Sequence, residues 1–204
     1  MTDDSVRMQY RGLNHVALVA RDMAETCAFY TGVLEMPLVK TLSLPGGRGQ
    51  HFFFDCGGGA TVAFFWFPNA PAAAPGIASQ SEDPKVGFQT AHASMNHIAL
   101  DIPLDKFDEY KARLHAKGVP LFEINHNDPP NADSREPNEH TWVRSMYFRD
   151  PNGIALELAS FTRAFTAADV AHAPVNADGV PVETWASPQS ASAAKVRDTV
   201  MEPS

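Results

Sequence analysis

A polar asparagine-histidine pair interrupts an otherwise apolar run in two short stretches that are nearly copies of each other, LNHVAL at residues 13–18 and MNHIAL at residues 95–100. Read as strands, their side chains alternate between faces, which puts His15 on the face of Leu13 and Ala17 and His97 on the face of Met95 and Ala99. After the first copy the rhythm changes. In DMAETCAFYTGVLEM the residues Met23, Cys27, Tyr30 and Leu34 recur at helical spacing, and Asp22 stands where a cap belongs. Three strand patterns follow, LVKTLSL, HFFFDC and ATVAFFWF, the last two separated by Gly57, Gly58 and Gly59 as in a hairpin. After the second copy, LDKFDEYKARLHAKG places Leu104, Phe107, Tyr110, Ala112 and Leu114 mostly on one helical face and closes with Gly118. VPLFEI, WVRSMYFRD and IALELAS then read as strands, the last pair joined by a turn at Asp150-Pro151-Asn152-Gly153.

The order β-α-β-β-β therefore occurs twice, and a repeat at this period signals internal duplication. The expected fold class is α+β, two paired βαβββ modules forming a curved mixed sheet. The expected division is an N-terminal arm (1–9), a first module (10–68), a linker loop (69–93), a second module (94–162) and an extended C-terminal tail (163–204).

Composition narrows the function. With 204 residues, 44% hydrophobic and 20% charged, the chain has the make-up of a globular protein. A formal charge of −8 and the lack of a basic run disfavour nucleic acid and anionic membranes as partners. MTDDSVRMQY is too polar for a signal peptide, and no run reaches the ~18 apolar residues of a membrane span, so a cytoplasmic location is expected. Cys27 and Cys56 are expected to be free thiols.

The chemistry concentrates on three residues. Two imidazoles on apolar strand faces cost stability unless they are hydrogen-bonded or bound, and a ligand shared by both economically meets that need. A metal is the obvious candidate. The last strand carries Glu157 between leucines, where an unpaired carboxylate is a misfit that coordination would relieve. His15, His97 and Glu157 thus form a candidate metal-ligand set, two histidines and one carboxylate, the arrangement associated with non-haem Fe(II), although spacing does not separate iron from manganese, cobalt or zinc.

These residues resemble the vicinal oxygen chelate superfamily of glyoxalases, epimerases, resistance proteins and extradiol dioxygenases. The resemblance rests on the paired modules, FYTGVLEM in the first helix, His in each opening strand and Glu in the closing strand, over about residues 10–165. Within it, NEHTWVRSMYFRDPNGIALE, residues 138–157, is similar to the ring-cleaving extradiol dioxygenase pattern, with His140, Tyr147 and Glu157 on its functional positions. The resemblance implies an Fe(2+)-dependent dioxygenase, or one using Mn(2+) or another divalent metal, acting on a small catechol-like or hydroquinone-like aromatic substrate and O2. Chelation through vicinal oxygens would lower the phenolic pKa and hold substrate beside oxygen. Tyr147 and His140 would then hydrogen-bond the substrate oxygens.

Two departures from the family pattern qualify this expectation. Ala63 stands where glyoxalase-type members place a further carboxylate, which favours an open three-ligand site. Gly59 and Ala60 stand where extradiol enzymes place an acid-base histidine, so proton transfer would fall to His51 or His126, with His126 favoured because it lies in the loop 125–141 expected to cover the metal. Phe64, Phe65, Trp66 and Trp142 are candidate walls for an aromatic ligand, Phe88 is a candidate anchor for the linker, and the tail with Trp185 is expected to pack on a second copy, giving a homodimer. Two other classes stay open, a non-oxidative metal-dependent lyase, isomerase or epimerase, and an aromatic-compound binding or resistance protein.

Overall fold

The computed structural model describes residues 10–81, 83, 85, 89–170 and 173–182; the N-terminal arm, Phe88, Trp185 and the rest of the tail lie outside the described residues. The first module runs β1 (His15–Val19), α1 (Met23–Cys27), β2 (Leu38–Leu44), β3 (Gly49–Asp55) and β4 (Thr61–Trp66). The second runs β5 (Ile98–Asp101), α2 (Phe107–Ala116), β6 (Phe122–Asn127), β7 (Thr141–Arg149) and β8 (Ala155–Phe161). Each module forms a four-stranded mixed sheet, in the orders β1-β4-β3-β2 and β5-β8-β7-β6, so the expected α+β architecture of paired βαβββ modules is observed. In both, the opening strand runs parallel to the last one and occupies an edge.

Local chemistry accounts for the elements. The Asp22 carboxylate accepts hydrogen bonds from the amides of Ala24 and Glu25 at 2.8 and 3.0 Å and so starts α1. That helix continues as a wider π-type turn over Ala28–Val33, which the apolar spacing did not reveal, with the Leu34 amide reaching back to the Phe29 carbonyl. Gly49 opens β3 at φ +142°, and a Cβ there would sit 2.0 Å from the Trp66 carbonyl oxygen, so only glycine permits the strands to approach. Leu104 precedes α2 and is exposed instead of lying on its apolar face. His126 belongs to β6, not to a loop. Strand pairing through that position displaces the expected covering loop to residues 128–140.

The described residues divide into two compact units, one within 1–123 and 145–159, the other within 124–144 and 160–204. The first unit contains both helices and a single core. Met23 and Tyr30 from the first helical segment and Phe107 and Leu114 from α2 pack with Phe54, Val62 and Phe64 of the first sheet and Met146, Phe148, Leu156 and Leu158 of the second. Tyr30 is fully buried and its hydroxyl donates to Asp150 at 3.3 Å. On the rim, Lys117 donates to the Gly32 and Val33 carbonyls at 2.9 and 2.8 Å, while Arg113 and Lys117 both pair with Glu35. In the second unit Arg163 bridges Asp128 and Asp169, and Trp142 stacks on Phe161 with ring centroids 6.1 Å apart.

Candidate metal centre

Strand alternation decides which side chains face away from the core. In the second sheet Leu100, Leu156 and Leu158 point inward, and Ala99 pairs with Glu157 in the same register row. His97 and Glu157 therefore share the opposite face. There the His97 Nε2 atom lies 2.9 Å from the Glu157 Oε2 atom, the carboxylate side chain being only 7% exposed. Tyr147 stands edge-on to the His97 ring at 5.7 Å and hydrogen-bonds the same carboxylate. Phe122 stacks on Tyr147 at 5.2 Å.

The electrostatics of Glu157 follow from these neighbours. Burial pushes its carboxyl upward, but the His97 imidazole, the Ser145 hydroxyl and Tyr147 together hold it below the usual carboxylate range. Ser145 Oγ is buried beside the carboxylate without meeting any partner in good hydrogen-bond alignment. An ionised carboxylate is thus kept ready inside an apolar strand.

The asparagine of each repeated hexapeptide has a function that its sequence pattern left unexplained. Asn96 Oδ1 lies 2.7 Å from His97 Nδ1, and Asn14 Oδ1 lies 2.7 Å from His15 Nδ1. An amide oxygen accepts, so the proton of each neutral imidazole is held on Nδ1 and the Nε2 lone pair is presented outward. Gln80, a buried residue of the linker that sequence reading passed over, donates to Asn96 Oδ1 at 3.1 Å and fixes that amide.

His15 occupies the equivalent place in the first sheet, in different company. It stands edge-on to Phe53 at 5.9 Å, and Phe53 in turn neighbours His51 at 4.2 Å. Among the described residues no three His, Cys, Asp or Glu side chains gather closely enough to hold a metal. One chain thus brings together two of the three residues expected to be ligands, His97 and Glu157, with Tyr147 beside them. His126 and His140 lie in the second compact unit. The former pairs with Asp133 at 2.9 Å and neighbours Trp142; the latter is an exposed loop residue with Glu139 at 3.7 Å. Of the expected aromatic walls, Phe64 and Trp66 pack into or against the core and Trp142 into the second unit, leaving Phe65 on the His15 face. Phe64 and Trp66 are inward because they alternate with Phe65 along β4.

No helix among the described residues is long and apolar enough to cross a membrane. Comparison with known proteins places the chain in context. It is 25% identical over 154 residues to the metallothiol transferase FosB of Shouchella clausii (strain KSM-K16), a match covering 75% of this chain and 82% of that protein. Its fold is similar to that of a glyoxalase family protein from Enterococcus faecalis, with a TM-score of 0.53 at 19% identity, covering 74% of this chain and 99% of that one. It is also similar to a glyoxylase/bleomycin resistance protein/dioxygenase domain from Frankia sp. EAN1pec, with a TM-score of 0.53 at 18% identity, covering 74% and 93%. The profile of one family matches residues 12–158, both modules included, and the chain belongs to that family, the Glyoxalase/Bleomycin resistance protein/Dioxygenase superfamily.

Proposed function

We propose that this protein is a non-oxidative, metal-dependent enzyme that binds a divalent cation through His97 and Glu157 of one chain and His15 of a second copy. The observation that carries this reading is the 2.9 Å approach of His97 Nε2 to Glu157 Oε2 with Nδ1 already engaged by Asn96. Two lone pairs facing each other at that distance need a cation between them, a proton or a metal. Adjacent ligands of a metal with bonds of about 2.1 Å at right angles stand roughly 3 Å apart, so the donor pair fits an ion.

The second copy follows from which faces are covered. Both sheets turn Phe54, Phe64, Phe148 and Leu156 into one core, and by strand alternation His15, His97 and Glu157 lie on the faces directed away from it. The two histidine faces of one chain therefore do not meet across that core. A twofold-related copy supplies the complementary face to each. A metal held there would supply Lewis-acid polarisation of a substrate oxygen. Glu157 contributes the neutralising charge, Asn96 and Asn14 aim the imidazoles, and Tyr147 supplies a hydroxyl beside the reacting centre.

The FosB relative supports the non-oxidative class, since its name couples a metal to thiol transfer. The test is metal analysis and calorimetry with zinc and manganese on the purified chain. Wild type should bind about one ion per chain, and Glu157→Ala should lose nearly all of it while staying folded; retention of metal by that variant overturns the assignment.

A second reading, an Fe(2+)-dependent ring-cleaving dioxygenase, is favoured by Tyr147, whose phenol adjoins both His97 and Glu157 as the extradiol resemblance requires. In that reading the Tyr147 hydroxyl serves a substrate oxygen. Oxygen uptake by ferrous-loaded protein over a catechol panel decides between the two, and uptake tied to ring cleavage would displace the non-oxidative reading.

A further inference from the structure

The two modules meet unequally on their helix side. The Cys56 amide donates to the Ala60 carbonyl and the Asp150 amide to the Ile154 carbonyl, each at 3.1 Å, so Cys56 is the counterpart of Asp150. The Met36 amide donates to the Tyr30 carbonyl at 2.9 Å as the Val119 amide does to that of Leu114 at 3.0 Å, which makes Leu114 the counterpart of Tyr30. One of the two equivalent contacts is filled: the Tyr30 hydroxyl donates to Asp150 at 3.3 Å, and Asn152 donates to Thr26 at 3.1 Å. At the other, Leu114 and Cys56 stand in place of the tyrosine and the acid, and a cavity of about 310 Å³ remains.

Its walls are apolar. Val33, Leu34, Met36, Leu100, Leu114 and Leu158 line it together with the Cys56 thiol, which burial and then Asp55 push up and so keep neutral. Leu100 and Leu158 face it from the sides of β5 and β8 opposite Ala99 and Glu157, so the cavity is separate from the candidate metal centre. Asp55 and Asp101 border it but alternate outward with Phe53 and Ala99.

Charge gathers at the mouth, where Arg113 and Lys117 both pair with Glu35, Lys117 at 2.6 Å. The Gly32 and Val33 carbonyls anchor Lys117 as well. The other acid near Arg113, Glu109 at 3.8 Å, is itself paired with Lys106 at 2.9 Å, so two cations share the Glu35 carboxylate. Glu35 holds φ at 59°, in the left-handed region, where its counterpart is Gly118 at φ 74°. A side chain there carries backbone strain, and this one is half-exposed, able to turn into solvent.

We propose that this cavity binds a small amphipathic monocarboxylate, its apolar chain among the leucines and its carboxylate in the place of Glu35 on Arg113 and Lys117. Glu35 itself shows the headgroup chemistry, since the mouth already holds a carboxylate between two cations. Volume sets the size: at the ~30 Å³ that a water molecule occupies in the liquid, the cavity takes about ten non-hydrogen atoms. The proposal stands independently of the metal reading.

The test is calorimetry of the full chain with octanoate, which has that size, and with 1-octanol and octylamine, which share the chain but not the headgroup, each with and without EDTA. Octanoate should bind about tenfold or more tighter than either, equally well with EDTA. Arg113→Gln should weaken it about tenfold, whereas Glu35→Gly, which removes the competing carboxylate and suits the backbone, should strengthen it about three- to tenfold. Cys56→Phe puts a ring into the cavity and should abolish binding in a chain whose circular dichroism is unchanged; Leu34→Trp blocks the same space from the helix side if that variant does not fold. Octylamine or octanol binding as tightly as octanoate overturns the proposal, as does octanoate binding that survives both filling variants, disappears with EDTA, or fails to strengthen in Glu35→Gly. Absence of octanoate binding to both wild type and Glu35→Gly overturns it outright.

Discussion

A histidine becomes a useful ligand only when its proton is held elsewhere, and the asparagine before each of His15 and His97 does that holding. Asn96→Ala should therefore weaken metal binding by about 10- to 100-fold with the fold intact, read by calorimetry against wild type. Gln80→Ala, one bond further out, should have a smaller effect in the same direction. A different residue pair governs acid behaviour. Burial raises the Asp150 carboxyl above its ordinary range, opposed by hydrogen bonds from Asn152, Ile154 and Tyr30. The folded state thus holds this proton more tightly than the unfolded chain does. Stability falls as pH rises from the unfolded carboxyl's value through the raised folded one and levels off above it. Tyr30→Phe removes one opposing bond, so that decline should reach to higher pH, and the variant should lose about 1 kcal/mol near neutrality. Thermal melts from acid to neutral pH check both the position and the depth of the decline.

At the scale of elements, what sequence made legible and what it hid have separable causes. Alternating faces marked the opening strand of each module, while apolar runs bounded by turn residues marked the other strands to within a few residues; Met23, Tyr30, Phe107 and Leu114 likewise revealed their helices. The π-type turn over Ala28–Val33 stayed hidden because one added residue per turn barely disturbs an apolar stripe. His126 read as a loop residue because the polar run Asn125-His126-Asn127 has no apolar alternation, yet Asn125 and Asn127 are buried there, bonded to the backbone of 132–135. The ligand candidates were legible as anomalies, charge or imidazole in apolar strands. Which faces meet was not, since alternation reports sides of a sheet and not what covers them. Two changes probe the elements. Asp22→Ala removes both amide acceptors from α1 and should cost about 1 kcal/mol. Gly49→Ala forces a Cβ into the Trp66 carbonyl and should cost more, because backbone and not a flexible side chain must yield. Urea unfolding of the two variants side by side gives the order.

For the whole molecule, the decisive question is whether a metal site lies within one chain or is shared between two. The shared core turns the His15 face and the His97–Glu157 face outward, so the proposed site needs ligands from two copies. His15→Ala and Glu157→Ala should each abolish tight metal binding when prepared alone. Co-refolded in equal amounts, they give about half mixed dimers. In each mixed dimer one site combines both defects, while the other joins an intact His15 to an intact His97 and Glu157. One site in two, in about half of the dimers, restores about a quarter of the wild-type metal content. A site assembled within a single chain predicts none, because every chain in the mixture carries one defect. Metal content of the co-refolded sample, with its mass in solution measured alongside, separates these outcomes: recovery near a quarter in a dimeric species supports the shared site, and no recovery from folded mixed dimers assigns His15 to another role.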